Sequence, residues 1–306
     1  PAPESASQPK KIKPSQYEDR WMRKAINLPG DTAVGASWNA CSTSDTPDCV
    51  KFPNLTYNWI ATPATGVTTI WSDAGTTSYD DAVSTPRALG FTHPFYFYGT
   101  QYNYLCISTN GIVSLTNSST TCDTALTTFI NPDMPASAAP NNIIAPYWDD
   151  LVVSGSGTFI SSVKTFTVAP SITGAPYNQQ PYDIPYMSKT GFKIFVITYE
   201  KVLHKDDTGK ADPMSFQILL YEGSNHVVFQ YQDVRVVKTF GGGKSATIGV
   251  ENSDGTIAKK FSYCAACAAD AVTNLTAVFA SPVLTYGIRA TSSGTKAPSF
   301  YPAYPL

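Results

Sequence analysis

Three groups of residues in this chain have the make-up of a chemical site. The run Gly241-Gly242-Gly243-Lys244-Ser245 has the composition of a phosphate-binding loop. Such a loop needs another glycine five positions before the last, where this chain has Lys238, and a helix N-terminus to hold the anion. The flanking segments read as strands, so the run is expected to be a hairpin loop. Cys264-Ala265-Ala266-Cys267 has the spacing of a zinc or redox pair. Zinc wants two further ligands, yet no second C-x-x-C and no nearby His follow; a redox pair belongs at a strand-to-helix junction. A small local disulfide is the expectation. The third group is the acidic pairs Asp80-Asp81, Asp149-Asp150 and Asp206-Asp207. Two carboxylates facing across a cleft would hydrolyse glycosides, but loop oxygens also suit a hard cation. Asp149 and Asp150, directly after a strand ending at Trp148, are the candidate calcium ligands. Asp206-Asp207-x-Gly209-x-x-Asp212 offers spaced oxygens outside the EF-hand register. The histidines His93, His204 and His226 are scattered, and neither H-E-x-x-H nor G-x-S-x-G occurs. No catalytic residue is assigned and no cofactor beyond calcium is expected. The chain reads as a non-enzyme, with a secreted hydrolase as the remote alternative.

The composition agrees with that. The 306 residues carry 21 Lys+Arg against 23 Asp+Glu, a net charge of −2. No basic excess exists to drive binding to nucleic acid or anionic membrane. Charged residues make up only 14%, against roughly 25% in ordinary soluble domains, while 42% are hydrophobic, enough for a large core. No apolar run approaches the roughly 18 residues of a membrane span. The start, Pro1-Ala2-Pro3-Glu4, has no apolar signal region, so the chain reads as cytosolic or already processed. Eighteen Tyr, 15 Phe and 5 Trp serve either sandwich packing or a carbohydrate-stacking face, and packing is the commoner use.

The cysteines point outside the cell. All six fall into sequence-local pairs, Cys41 with Cys49, Cys106 with Cys122 and Cys264 with Cys267, as disulfides of an oxidising compartment do. In a secreted chain the Asn-x-Ser/Thr triplets at Asn54, Asn117 and Asn274 become candidate glycosylation sites.

The elements that would position these residues are strands. Apolar, β-branched and aromatic runs bounded by Gly, Pro, Asn, Asp or Ser recur at 57–61, 67–71, 95–98, 104–108, 112–115, 143–148, 157–160, 193–200, 215–221, 226–231, 246–250 and 284–289. Residues 216–221 and 227–231 flank Glu222-Gly223-Ser224-Asn225 as a hairpin. The stretch 161–191, with four prolines, reads as a long excursion. The expected fold is all-β, two antiparallel sheets packed as a sandwich over residues 31–290. Before it, residues 1–30 form a polar tail and one short helix. That helix opens on the capping box Ser15-Gln16-Tyr17-Glu18 and docks through Trp21. After it, residues 291–306 form an extended tail in which Phe300, Tyr301 and Tyr304 alternate with prolines.

Within the β region, Leu89-Gly90-Phe91, Phe95-Tyr96-Phe97-Tyr98-Gly99 and Ser108-Thr109-Asn110-Gly111 resemble a signature of secreted microbial β-sandwich modules. The block from Asn142 through Ile143-Ile144-Ala145-Pro146-Tyr147-Trp148-Asp149-Asp150-Leu151 resembles one of nidogen-type (NIDO-like) extracellular domains. Phe195-Val196-Ile197-Thr198-Tyr199-Glu200-Lys201-Val202, and Ser215-Phe216-Gln217 with Phe229-Gln230-Tyr231, are similar to two further blocks of that family. The resemblance covers roughly residues 57–290. It implies a matrix, adhesion or cell-surface module without known catalysis.

The expectation is therefore a secreted, disulfide-stapled structural protein at the cell surface. Its partner is expected to be itself, as a homo-polymer in which the terminal segments, marked by Pro1 and Trp21 at one end and Phe300, Tyr301 and Tyr304 at the other, dock on neighbours. The alternative is a monomeric adhesin that recognises surface glycans or matrix proteins.

Overall fold

A computed structural model describes residues 59–169, 193–222, 225, 227–234, 243 and 245–263. Within these, the side chains of Lys259, Phe261 and Ser262 are not described, and four further strands are described by backbone alone. In chain order the strands are β1 (Cys49–Lys51), β2 (Val67–Asp73), β3 (Tyr79–Asp80), β4 (Arg87–Ala88), β5 (Phe95–Phe97), β6 (Thr100–Tyr102), β7 (Tyr104–Ile107), β8 (Val113–Thr116), β9 (Ile143–Trp148) and β10 (Leu151–Val153). They continue as β11 (Ser161–Val168), β12 (Ile194–His204), β13 (Met214–Tyr221), β14 (Val227–Asp233), β15 (Thr247–Glu251), β16 (Ala258–Ser262), β17 (Thr276–Phe279), β18 (Ile288–Thr291) and β19 (Ser299–Pro302). Those described by backbone alone are β1, β17, β18 and β19.

The strands form two main antiparallel sheets. A nine-stranded sheet runs β1-β17-β14-β13-β12-β10-β3, with β11 and then β2 joined along β12. A six-stranded sheet runs β16-β15-β9-β8-β7-β4. β12 serves two neighbours on one edge. Ile194–Glu200 pairs with β11, while Leu203 and His204 pair with β10. The change of partner falls at Lys201, whose φ is +54.

The strand sequences show why the sheets pack. Phe216, Ile218 and Leu220 of β13 point into the core between the sheets, and Leu219 and Tyr221 point into a second apolar cluster. This is the period of two expected of a strand buried on both faces. Across the central core Tyr199 stacks on Phe216 with ring centroids 4.6 Å apart. The Tyr199 hydroxyl donates to Ser108 O (2.7 Å) and that of Tyr231 to Pro146 O (2.7 Å), so each sheet is bonded to the other through a buried phenol.

A strap, residues 122–141, packs Leu126 and Met134 on the outer face of the smaller sheet against Ile112, Ile143 and Trp148. The Cys106–Cys122 disulfide fastens its start. Trp148 Nε1 donates to Thr128 O (3.2 Å), Thr247 Oγ1 to Pro132 O (2.9 Å), Lys260 Nζ to Asp133 Oδ1 (2.7 Å), and Ala136 N to Glu251 Oε2 (2.7 Å).

Several expectations change. The antiparallel all-β class stands, but the helix at 15–30, with Trp21, lies outside the described residues. Residues 161–168, expected to begin an excursion, are instead β11: Ser-Ser-Val-Lys-Thr-Phe-Thr-Val is a proper strand, and the prolines start only at Pro170. Residues 157–160 are a turn, closed by the Ser156–Phe159 bridge. Ile60, in an expected strand, pairs with a side chain: its N–H donates to Gln217 Oε1 (3.2 Å) and its carbonyl accepts from Gln217 Nε2 (2.8 Å). In the last segment β18 crosses the expected boundary at 290, and Phe300 and Tyr301 lie in β19, paired with Ala290 and Arg289.

Candidate functional site

The candidate site is the acidic corner where β3, the β7–β8 turn, the β9–β10 turn and the end of β12 meet. Its hub is Asn110, fully buried. Asn110 Nδ2 donates to Asp81 Oδ1 (2.8 Å) and Thr127 O (3.0 Å). Asn110 Oδ1 accepts from Leu151 N (3.1 Å), and its carbonyl accepts from Asp149 N (3.2 Å). Thr109 N donates to Ala82 O (2.9 Å) and Thr109 Oγ1 accepts from Ala82 N (2.9 Å). Gly111 has φ +72, and a Cβ there would lie 1.9 Å from Tyr147 O. Glycine is therefore required both by conformation and by space. The Ser-Thr-Asn-Gly and Trp-Asp-Asp-Leu blocks are thus two halves of one joint.

The acids divide into inward and outward ones. Asp149 is buried: Oδ2 accepts from Ser245 Oγ (2.6 Å), Oδ1 accepts from Asp150 N (3.1 Å), and His204 Nε2 lies 3.5 Å from Oδ1. This brings together a serine, a carboxylate and an imidazole, but in an order that makes no nucleophile. Activating a hydroxyl needs the imidazole beside it, and here the carboxylate sits between them.

Asp150 instead turns toward Asp80 and Asp81, and the three present oxygens within 4.8 Å of one another. Asp80 also forms an ion pair with Lys205, and its Oδ1 is buried with no hydrogen-bond partner. Burial pushes the Asp150 carboxyl above its ordinary range. His204 pulls it back, and Asp81, Asp149 and Asp206 push it further up. For a cation the corner offers three of the about six to eight oxygens that calcium takes. Of the expected pair, Asp150 belongs to this group, while Asp149 faces Ser245 and His204. The Asp206–Asp212 loop is self-capped, Asp207 Oδ2 accepting from Asp212 N (2.8 Å).

The other expected site residues are placed as follows. Cys106 and Cys122 are bonded. Cys49 lies in β1 opposite Phe279 of β17. Asn117 is exposed after β8, its Nδ2 donating to Gln101 O (2.8 Å) and its Oδ1 accepting from Asn103 N (3.1 Å). Gly243 N donates to the Tyr147 hydroxyl (3.0 Å), so this backbone donor of the glycine run is turned inward. Pro1, Trp21, Cys41, Asn54, His226, Cys264, Cys267, Asn274 and Tyr304 lie outside the described residues. Sequence reasoning missed His204, Glu222 and Glu251. Each lies at a strand end, where only the folded partner gives it a role.

No helix among the described residues is long and apolar enough to cross a membrane. Set against known families, residues 51–171 and 188–288 match a family described as NIDO related. No curated protein and no solved structure matches the chain. The family match points to an extracellular, matrix-type module, and the disulfide is consistent with that location.

Proposed function

Because the chain belongs to the NIDO-related family, we propose that it works outside the cell as a non-enzymatic structural module that polymerises with copies of itself. The observation that carries self-assembly is strand β2. Among the described residues it is paired only with β11, so one side is an open edge. Natural edges are blunted by lysine, proline or bulges. Val67-Thr68-Thr69-Ile70-Trp71-Ser72-Asp73 contains no lysine and no proline; its one charge, Asp73, is taken up by the N–H groups of Thr76, Thr77 and Gly155, and a single register shift beside Ile70 interrupts it. Such an edge accepts an added strand, with affinity from backbone hydrogen bonds and specificity from alternate side chains. The C-terminal segment 291–306, with Lys296 as its one charged side chain and with Phe300, Tyr301 and Tyr304, is suited to provide it, and the lysine-bearing segment 1–14 offers a second, more polar arm. Head-to-tail addition whose rotation does not close grows a fibre.

Sedimentation of the full chain beside variants lacking residues 1–14 or 291–306 tests this. The truncated proteins stay monomeric under conditions in which the full chain assembles. If both still polymerise, docking by the terminal segments is wrong.

A further inference from the structure

A second feature owes nothing to self-assembly. A groove of about 260 Å³ runs between the 88–94 loop and the segment bearing Gln101, Asn103 and Tyr104. Its volume is just under the roughly 300 Å³ at which small-molecule sites begin, the scale of a single sugar ring.

The groove is braced from beneath. The Glu222 side chain, fully buried, accepts from Thr92 N (2.5 Å) and His93 N (2.6 Å) at Oε1 and from Lys193 N (2.8 Å) at Oε2; His93 Nδ1 lies 3.1 Å from Oε1. Lys193 Nζ donates to Gly90 O (2.6 Å), and Leu89 N bonds Asn103 O (2.9 Å) across the two walls. A buried carboxylate is costly unless its hydrogen bonds are met. Here each of these bonds holds the loop or the neighbouring strand end. The wall is therefore rigid before any ligand arrives, which lowers the cost of binding.

The surface has the chemistry of a neutral polyol site. Gln101 and Asn103 are exposed and adjacent, Gln101 Nε2 lying 3.5 Å from Asn103 Oδ1. That leaves an amide acceptor, Gln101 Oε1, and an amide donor, Asn103 Nδ2, for neighbouring hydroxyls. Phe91 and Tyr104, both half-buried, offer ring surface to sugar C–H groups. No acidic side chain lines the groove, and Lys193, next to it, is occupied by Gly90.

We infer that this groove binds a neutral pyranose, with Gln101 and Asn103 pairing its hydroxyls and Phe91 and Tyr104 under its apolar face. The sugar has two possible sources. One is a saccharide from outside. The other is a glycan on Asn117, whose amide is anchored to the same segment at Gln101 O and Asn103 N and whose second N–H is available for the linkage.

The test uses the full chain from a glycosylating host and titrates it with cellotriose, chitotriose and mannotriose. Ser119→Ala removes the Asn117 sequon without touching the Asn117 hydrogen bonds. This variant binds one of the three probes, and adding Gln101→Ala with Asn103→Ala, both at exposed positions, weakens binding about tenfold, the worth of two neutral hydrogen bonds. If the glycosylated wild type binds more weakly than Ser119→Ala, the groove holds the chain's own glycan; equal binding assigns it to an outside sugar. Silence of Ser119→Ala toward all three probes overturns the site, and so does undiminished binding by the triple variant.

Discussion

The side-chain oxygen of Asn110 accepts the backbone N–H of Leu151 at 3.1 Å, while the Asn110 carbonyl takes that of Asp149 at 3.2 Å. One buried residue thus closes the turn between β9 and β10 from the side of the opposite hairpin. With Asp81 and Thr127 on its amide nitrogen, it ties four chain segments together.

Replacing Asn110 by Ala leaves the Leu151 N–H and the Asp81 carboxylate without these partners inside the protein. The expected loss is about 2–4 kcal/mol, since buried groups left unpaired cost more than the bonds they made. A urea midpoint within experimental error of wild type would remove Asn110 from its place as hub. Gly111→Ala is at least as damaging, because its new methyl collides with the Tyr147 carbonyl.

Stability falls as pH rises from about 4.5 to 7. Glu251 is buried, and burial pushes its carboxyl up to about 7, eased by the Ala136 N–H and worsened by Asp254. A carboxyl raised above its unfolded value of 4.5 binds more protons in the native state between those two values. Its penalty therefore grows from about pH 4.5 to 7 and is complete above that. Glu251→Gln, which keeps an acceptor for Ala136 N, flattens this limb and stabilises the protein by on the order of 1–2 kcal/mol at pH 8. Asp73 acts oppositely. Burial raises its carboxyl, but N–H donors from Thr77, Gly155, Gly75 and Thr76 outweigh this and hold it below 3.8. Its contribution is present above that value and lost below it. Melting temperature against pH, with and without Glu251→Gln, checks both signs. A parallel pair of curves would contradict the first.

Reducing the Cys106–Cys122 bond frees the start of the strap. The cysteines are 16 positions apart, a loop whose closure is worth about 3 kcal/mol in the chain-entropy account. The exposed Phe129 (45%) and Ile130 (69%) lie on the strap, so limited proteolysis by chymotrypsin at Phe129 is faster in the Cys106→Ser/Cys122→Ser protein. Equal cleavage rates would show that the polar clamps hold the strap unaided.

At the acidic corner, Asp150→Asn relieves burial and repulsion from Asp81, Asp149 and Asp206 together. It raises stability at pH 7 by a fraction of a kcal/mol, up to about 1, whereas Lys205→Ala lowers it by removing the Asp80 partner. Thermal melts of the two variants at low and high salt check the opposite signs.

The strands were legible because β-branched and aromatic runs broken by Gly, Pro and Asp announce them, and the β13–β14 hairpin is the clearest case. β11 was missed because prolines beyond Val168 coloured the reading of the residues before them. The short β3 and β10 carry too few residues for any alternation; β10 forms against the end of β12, and β3 forms against β10. At the acidic corner the Asp pairs were visible, but which of them turn inward was not. That choice is made by Ser245 and His204, about 96 and 55 residues further along the chain. Gln217 posing as a strand partner for Ile60 likewise has no local signal.

Electron microscopy of the purified full chain over a range of concentrations probes the proposed polymerisation. Filaments of uniform width that lengthen as concentration rises are expected. Discrete particles of monomer mass at every concentration would contradict it.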